Sequence, residues 1–333
     1  MEKIDYAQAV SRIRVLETRL LDKAKLDRMI DSSSPDDALK ILLESEYSNS
    51  SGAVKRSEDY EILLSEEMKK LYSLMYKISP EPLIIDIVSL KYDYHNIKVL
   101  LKGRALGKDL SYLLVPIGTV ETDHLKKYLS EGKYTDLKPI MREALERAEK
   151  SFKENKDPQM IDIILDSALY KDMFKRAEIL KEEYITELLR KTADLNNIKT
   201  LFRVKKQNKS REFLSEVIIE GGFIDKDVYM NSLNDTTENF VNKLSYTDYS
   251  GILKLGAEEF NKTGKLNVLE KLSDNFIMEY IKKAKYISFG PEPVIAYIYA
   301  KESEIKAVRI IMVGKLNNVS PEVIRERLRD IYV

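Results

Sequence analysis

Three acidic residues, Asp93, Asp194 and Glu304, recur at intervals of 101 and 110 residues, and each is followed five positions later by a cation, Lys98, Lys199 and Arg309. Carboxylates and cations in one place can serve acid–base catalysis, metal binding or ion pairing. Five positions along a helix is about 140° of rotation, so the members of each pair do not face one another as i, i+4 partners do. Each is therefore expected to find its partner on a neighbouring element. We read the six as polar contacts that knit adjacent repeats together, with Asn96 and Asn197 assisting in two copies and Ala307 breaking the pattern in the third. A solvated charged face is the other reading of the same spacing. An enzyme built on paired carboxylates and a metal is disfavoured, because the recurring acids stand one per repeat, far apart in the sequence.

Other chemistry finds little support. The only histidines, His95 and His124, occupy repeat positions that hold other residue types in the sister copies, and we read them as ordinary side chains. There is no HExxH, no GxxxxGK[ST] and no GxGxxG opening a helix, and without cysteine there is neither a thiol nucleophile nor a zinc–thiolate site. Gly221-Gly222 stands just before a capped helix at Asp225, where an anion-binding turn is conceivable and a plain tight turn is the simpler reading. The basic cluster from Lys205 to Arg211 reads as loop. No catalytic, cofactor or metal residue is assigned.

The elements that carry these residues come three times. Glu81–Arg104 overlays Glu292–Lys315 without a gap, matching the Glu-Pro pair, the glycine and the closing cation, and Lys181–Lys205 falls between them. The apolar positions Leu83, Ile87, Tyr94, Ile97, Leu101 match Tyr184, Leu188, Leu195, Ile198, Phe202 and then Val294, Ile298, Ile305, Val308, Met312. Spacings of four, seven, three and four keep side chains on one stripe, which predicts a long helix with one buried face in each copy. The stripe is interrupted, because the position of Leu90 holds Lys191 and Lys301 in the other copies. Val120–Leu125, Ile224–Tyr229 and Val319–Ile324 each set two apolar residues five apart around a polar cap and an acidic first turn, the signature of a stapled helix start, and Pro321 strengthens the third. Segments opening at Tyr60, Ile161 and Leu269 lead into the long helices. The chain is thus predicted to be all-α, with repeat domains at 1–117, 118–221 and 222–333, the last carrying a closing helix over Ser320–Tyr332. The most strand-like stretch, Asp109–Ile117, reads as loop.

Composition agrees. A chain of 333 residues with 44% hydrophobic and 33% charged residues supports two or three helical cores. Lysine plus arginine equals aspartate plus glutamate at 55 each, so no long-range field gathers phosphate backbone or anionic lipid. No apolar run approaches the roughly 20 residues of a membrane span, and the charged opening Met1-Glu-Lys-Ile-Asp lacks the apolar core of a signal peptide. The absence of cysteine fits a reducing compartment. Twenty tyrosines and no tryptophan offer amphipathic rings to wet interfaces.

The stretch Phe289-Gly-Pro-Glu-Pro, then Ala300–Lys315, Pro321–Arg329 and the terminal Tyr332-Val333, together with Tyr6–Val15, Glu17, Leu20-Leu21 and Asp93–Lys98, resembles the C subunits of the V/A-type rotary ATPases, the counterparts of the eukaryotic d subunits. The likeness covers essentially the whole chain and is loosest over 130–157 and 231–265. It implies three pseudo-threefold related helical domains forming a funnel with a central cavity. It implies a non-catalytic central-stalk role, without cofactor, that couples the D and F shaft to the proteolipid ring for ATP-driven ion transport or ATP synthesis. One copy per complex, monomeric when isolated, would lie peripherally on the cytoplasmic face, without nucleic acid and without direct membrane insertion. A socket region including Phe289, Gly290, Pro291, Glu292 and Pro293 is implied in the same way. A helical-repeat scaffold unrelated to rotary ATPases is the rival; such solenoids usually run about 20 to 45 residues per unit in many copies.

Overall fold

Helix-forming periodicity and well-placed caps govern the architecture. The computed structural model describes residues 2–54 and 56–333; Met1, part of the charged opening read above, lies outside the described residues. Among the described residues there are sixteen α-helices and no strand. The first eight are α1 (Ala7–Glu17), α2 (Lys23–Asp31), α3 (Pro35–Leu43), α4 (Tyr60–Ile78), α5 (Pro82–Leu106), α6 (Thr122–Glu131), α7 (Pro139–Asn155) and α8 (Pro158–Leu180). The others are α9 (Glu183–Lys206), α10 (Arg211–Val217), α11 (Lys226–Asn231), α12 (Thr237–Lys243), α13 (Ser250–Thr263), α14 (Asn267–Lys282), α15 (Glu292–Leu316) and α16 (Pro321–Arg327). Within Asp109–Ile117 the chain makes only a single 3-10 turn, at Ser111–Leu113.

The helices form two compact units. One is built from both ends of the chain, through Ile85 and from Lys271 to Val333; the other is the continuous stretch Asp86–Glu270. We call them the two-ended unit and the continuous unit. In the first, Leu26, Met29, Ile30, Leu42, Leu63 and Leu64 share a core with Ile305, Val308, Ile311 and Met312 of α15.

The long helices α5, α9 and α15 carry the predicted stripe. Every stripe residue is buried except Leu83 and Tyr184, which are half-buried. The expectation of a single buried face fails for α15, whose residues from Glu292 to Ile298 are all buried, and with them Lys301, Glu302 and Glu304. The cause is its surroundings: α1, α2, α3 and α4 all pack on it.

All three long helices end alike. Gly107, Asn208 and Asn318 take left-handed φ values of 63°, 50° and 53°. The next residue in each case, Lys108, Lys209 or Val319, donates its N–H to the carbonyl five positions back. This is the C-terminal capping geometry that glycine or asparagine permits. It also fixes the register of the next helix. Asn208, Ser210 and α10 correspond to Asn318, Ser320 and α16, with Leu214 and Ile324 buried at matching points. So α16 is the counterpart of α10 and not of the stapled starts at Val120 and Ile224, and it spans Pro321–Arg327 instead of running to Tyr332. The Ser-Pro-Glu cap misleads because both kinds of helix open on the same capping chemistry. α16 packs on α2, where Arg325 reaches Asp27 (3.3 Å) and Asp31 (2.6 Å).

Caps are side-chain specific. Ser34 accepts from the Asp37 N–H at the start of α3, with Pro35 in the first turn. The Ser33 and Ser34 hydroxyls and the Lys40 ammonium in turn hold the Asp37 carboxyl down to about 2 from its ordinary 3.8. A lowered folded value means that the contribution of Asp37 is present above its unfolded value and is lost as pH falls toward the folded one. We predict that carboxyl NMR places the Asp37 midpoint near 2, that Ser34→Ala moves it toward 3.8, and that the lost cap destabilises the protein by about 1 kcal/mol. A midpoint unmoved by Ser34→Ala would refute the assignment.

Candidate functional site

Each recurring acid lies on its long helix and closes on a stretch of backbone. Asp93 on α5 is fully buried; its Oδ2 accepts from the Thr119 N–H (2.8 Å) and hydroxyl (2.7 Å), and its Oδ1 from the Val120 N–H (3.0 Å). Asp194 on α9, also fully buried, takes the N–H groups of Phe223 (2.9 Å) and Ile224 (3.1 Å) and the hydroxyls of Tyr249 (2.9 Å) and Tyr229 (3.3 Å). Glu304 on α15 takes the Leu21 N–H (2.5 Å), the Tyr47 hydroxyl (2.8 Å) and the Lys301 ammonium (2.6 Å). Val120 and Ile224 are the residues just before the caps of α6 and α11. Leu21 stands in the same place before α2, whose cap Asp22 accepts from Lys25.

The third clasp therefore falls on the opening of the chain. Leu21 and Leu26 are both buried and five apart, as are Ile224 and Tyr229; in the remaining staple Leu125 is buried and Val120 half-buried. The staple belonging to the third copy is thus Leu21–Leu26, a correction to the reading of Val319–Ile324.

Burial pushes the carboxyls of Asp93 and Asp194 above the ordinary aspartate value, against the lowering effect of their hydrogen bonds. Burial and the adjacent Asp194 carboxylate raise the Tyr229 and Tyr249 hydroxyls, which stay protonated donors.

Glycine makes two of the clasps possible. A Cβ on Gly118 would sit 2.0 Å from Asp93 Oδ1, and one on Gly222 would sit 2.1 Å from Asp194 Oδ1. The short aspartate arm requires the loop to come this close. In the third copy Arg19 stands where the glycine would be, and the acid is glutamate, one carbon longer. The Gly221-Gly222 turn thus receives the protein's own carboxylate.

The asparagines add a second tie. Asn96 donates to the Val115 carbonyl (2.8 Å) and accepts from its N–H (2.8 Å); Asn197 does the same with Ile219 (2.7 and 2.8 Å). The stripe interruptions are also accounted for. Lys191, buried, pairs with Glu187 (3.2 Å) and Asp248 (3.3 Å), and Lys301, buried, with Glu304 and Glu67 (3.6 Å) while lying 4.2 Å from the Tyr47 ring centre.

Lys98 and Arg309 pair away from the acids five positions earlier. Lys98 pairs with Asp166 on α8, and Arg309 grips both oxygens of Glu61 on α4 at 2.6 and 3.1 Å. Lys199 is half-buried on α9. In the proposed socket stretch, Phe289 is exposed, Gly290 has φ of 125° beside the Glu292 carboxylate, and Glu292 pairs with Lys3 (3.1 Å); Pro291 and Pro293 are buried at the start of α15. Tyr286 nearby is 90% exposed.

His95 Nε2 lies 3.1 Å from the Leu113 carbonyl, and His124 is exposed. The continuous unit holds a cavity of about 1280 Å³ whose lining mixes Met160, Ile163, Tyr170, Phe174 and Phe223 with acids and cations. Among the described residues no group of histidine, aspartate and glutamate could hold a metal ion, and no helix is long and apolar enough to cross a membrane. The arrangement offers fixed donors and acceptors that are consumed internally, together with exposed aromatic surface.

Comparison with known proteins covers nearly the whole chain. Residues 9–327 match the family model described as ATP synthase (C/AC39) subunit. The C subunit of the V-type sodium ATPase of Enterococcus hirae is 30% identical over 331 residues, covering 99% of each chain. The C subunit of the A-type ATP synthase of Methanocaldococcus jannaschii is 28% identical, covering 97% of this chain and 86% of its own, and that of Methanosarcina acetivorans 27%, covering 97% and 92%.

Proposed function

Because the chain belongs to the ATP synthase (C/AC39) subunit family, we propose that it is the non-catalytic coupling piece of a V/A-type rotary ATPase, seated between the D and F central shaft and the proteolipid ring. The observation that carries this reading is the order of the three clasps. The acid of the first long helix holds the start of the second repeat, the acid of the second holds the start of the third, and Glu304 of the third holds Leu21, the start of the first. A linear stack leaves its last repeat without a successor. A cyclic order of like units suits a funnel of three pseudo-threefold repeats, the domains 1–117, 118–221 and 222–333, around a central cavity.

The role asks for stiffness and two protein surfaces. Buried clasps and close-packed helices supply the first. Exposed Phe289 and Tyr286 beside the start of α15, and the cavity of the continuous unit with its mixed aromatic and charged lining, are the surfaces we assign to partners. The six polar residues Asp93, Lys98, Asp194, Lys199, Glu304 and Arg309 knit repeats and carry no chemistry. The complex places the chain peripherally on the cytoplasmic face, one copy per complex.

Co-purification tests this. Mixed with the D and F pair and with membranes holding the ring, the chain is expected to join both; failure to bridge them, with the protein folded, would remove the assignment. Binding by partners of another kind would favour a general scaffold.

A further inference from the structure

The two-ended unit is closed without chain continuity. In the first two clasps the acid and its backbone partner lie 26 to 30 residues apart, whereas Glu304 and Leu21 lie 283 apart. Every contact that wraps the amino-terminal helices around α15 is of this distant kind. One part is apolar, where Leu26, Met29, Leu42 and Leu63 meet Val308 and Met312.

The other part is polar to an unusual degree. Lys301 is held among Glu304, Glu67 and the Tyr47 ring, and the Tyr72 hydroxyl donates to Glu302 at 2.7 Å, all of them buried. The rim adds Arg309 with Glu61 and Arg325 with Asp27 and Asp31, and the buried Tyr332 hydroxyl donates to Glu17 (2.7 Å). At the aligned position the first copy carries Leu90, buried and apolar. A buried ion pair adds little net stability, because desolvation offsets attraction, while exposed pairs are screened by salt. A seam made this way is held in place more than it is held tightly.

We propose that the amino-terminal stretch through Ile85 is a strap, closed on α15 and α16 by this polar lock, that opens and recloses as one event while Asp86–Glu270 stays folded. The inference concerns this chain alone and does not depend on the rotary assignment. Opening of this type is the sub-global kind that native-state exchange resolves.

The test is native-state hydrogen exchange by mass spectrometry on the full chain, in low salt and in 1 M NaCl. Helices α2, α3 and α4 are expected to share one opening free energy, lower than that of α8 and α9. Salt is expected to speed the exchange of the former about three- to tenfold and leave the latter unchanged. Glu304→Gln is expected to speed strap exchange at least about tenfold, and Arg325→Gln, an exposed substitution that leaves the core intact, about two- to fivefold. The proposal is overturned if α2 and α4 exchange with unrelated free energies, if all helices share a single global value, or if neither salt nor Arg325→Gln moves the strap.

Discussion

Asp194→Ala is expected to lower the unfolding free energy by about 3–5 kcal/mol, read by chemical denaturation with circular dichroism. Four donors converge on this carboxylate: the N–H groups of Phe223 and Ile224 and the hydroxyls of Tyr229 and Tyr249. Asp194 is fully buried, and so is Tyr229, so water has poor access to the orphaned groups. Each unsatisfied buried donor costs about 1–3 kcal/mol, and relaxation or an entering water brings the sum down to the range given. Asp194→Asn keeps one acceptor but turns an amide toward a donor, and should cost about half as much. A variant within about 0.5 kcal/mol of wild type would mean that the acid belongs to a solvated face after all.

The second large effect comes from a single methyl group. Gly118→Ala brings a Cβ to 2.0 Å from Asp93 Oδ1 and 2.7 Å from its Cγ, distances at which something has to move. The Asp93 carboxylate is not free to do so, because three hydrogen bonds hold it against the segment that the glycine belongs to. Either the loop lifts and breaks the clasp or the helix shifts, and the expected loss is about 3–4 kcal/mol by the same measurement. Gly132→Ala is the comparison: Gly132 has nothing within 4 Å and pays only for its φ of 66°. It should cost about 1–2 kcal/mol. If Gly118→Ala proved the milder of the two, the close approach would not be what requires glycine.

Much of the fold is legible in the residues themselves. The spacing of Ile97, Leu101 and their equivalents is a helical stripe whatever the tertiary context, and the long helices follow from it. The recurrence of Asp93, Asp194 and Glu304 marks the clasp acids. Their partners are harder to see, because a carboxylate that binds backbone N–H groups leaves no side-chain signature. Gly118 and Gly222, each two residues ahead of a stapled apolar position, are the available signal. Nothing in local pattern links Glu304 to Leu21, and Val319 reads as a third staple because a Ser-Pro-Glu cap looks the same at any helix start. The left-handed Asn208 and Asn318 separate the two cases, and that distinction rests on backbone conformation. Lys191 and Lys301 break the apolar stripe because the carboxylates that neutralise them lie on it or beyond it, at Glu187, Asp248, Glu304 and Glu67.

A unit whose core joins the two ends of the chain has a history that the finished molecule conceals. On the ribosome, Leu26, Met29 and Leu42 emerge long before Val308 and Met312, the residues they must pack against. At roughly 5–20 residues per second, the nascent amino-terminal helices wait on the order of ten seconds to a minute with their oily faces bare. The stretch Asp86–Glu270, a compact unit, is made in full during that interval. A message cut short before α15 would yield a product whose defect lies at its beginning, and chaperone holding of the newborn chain should matter most for its first 85 residues.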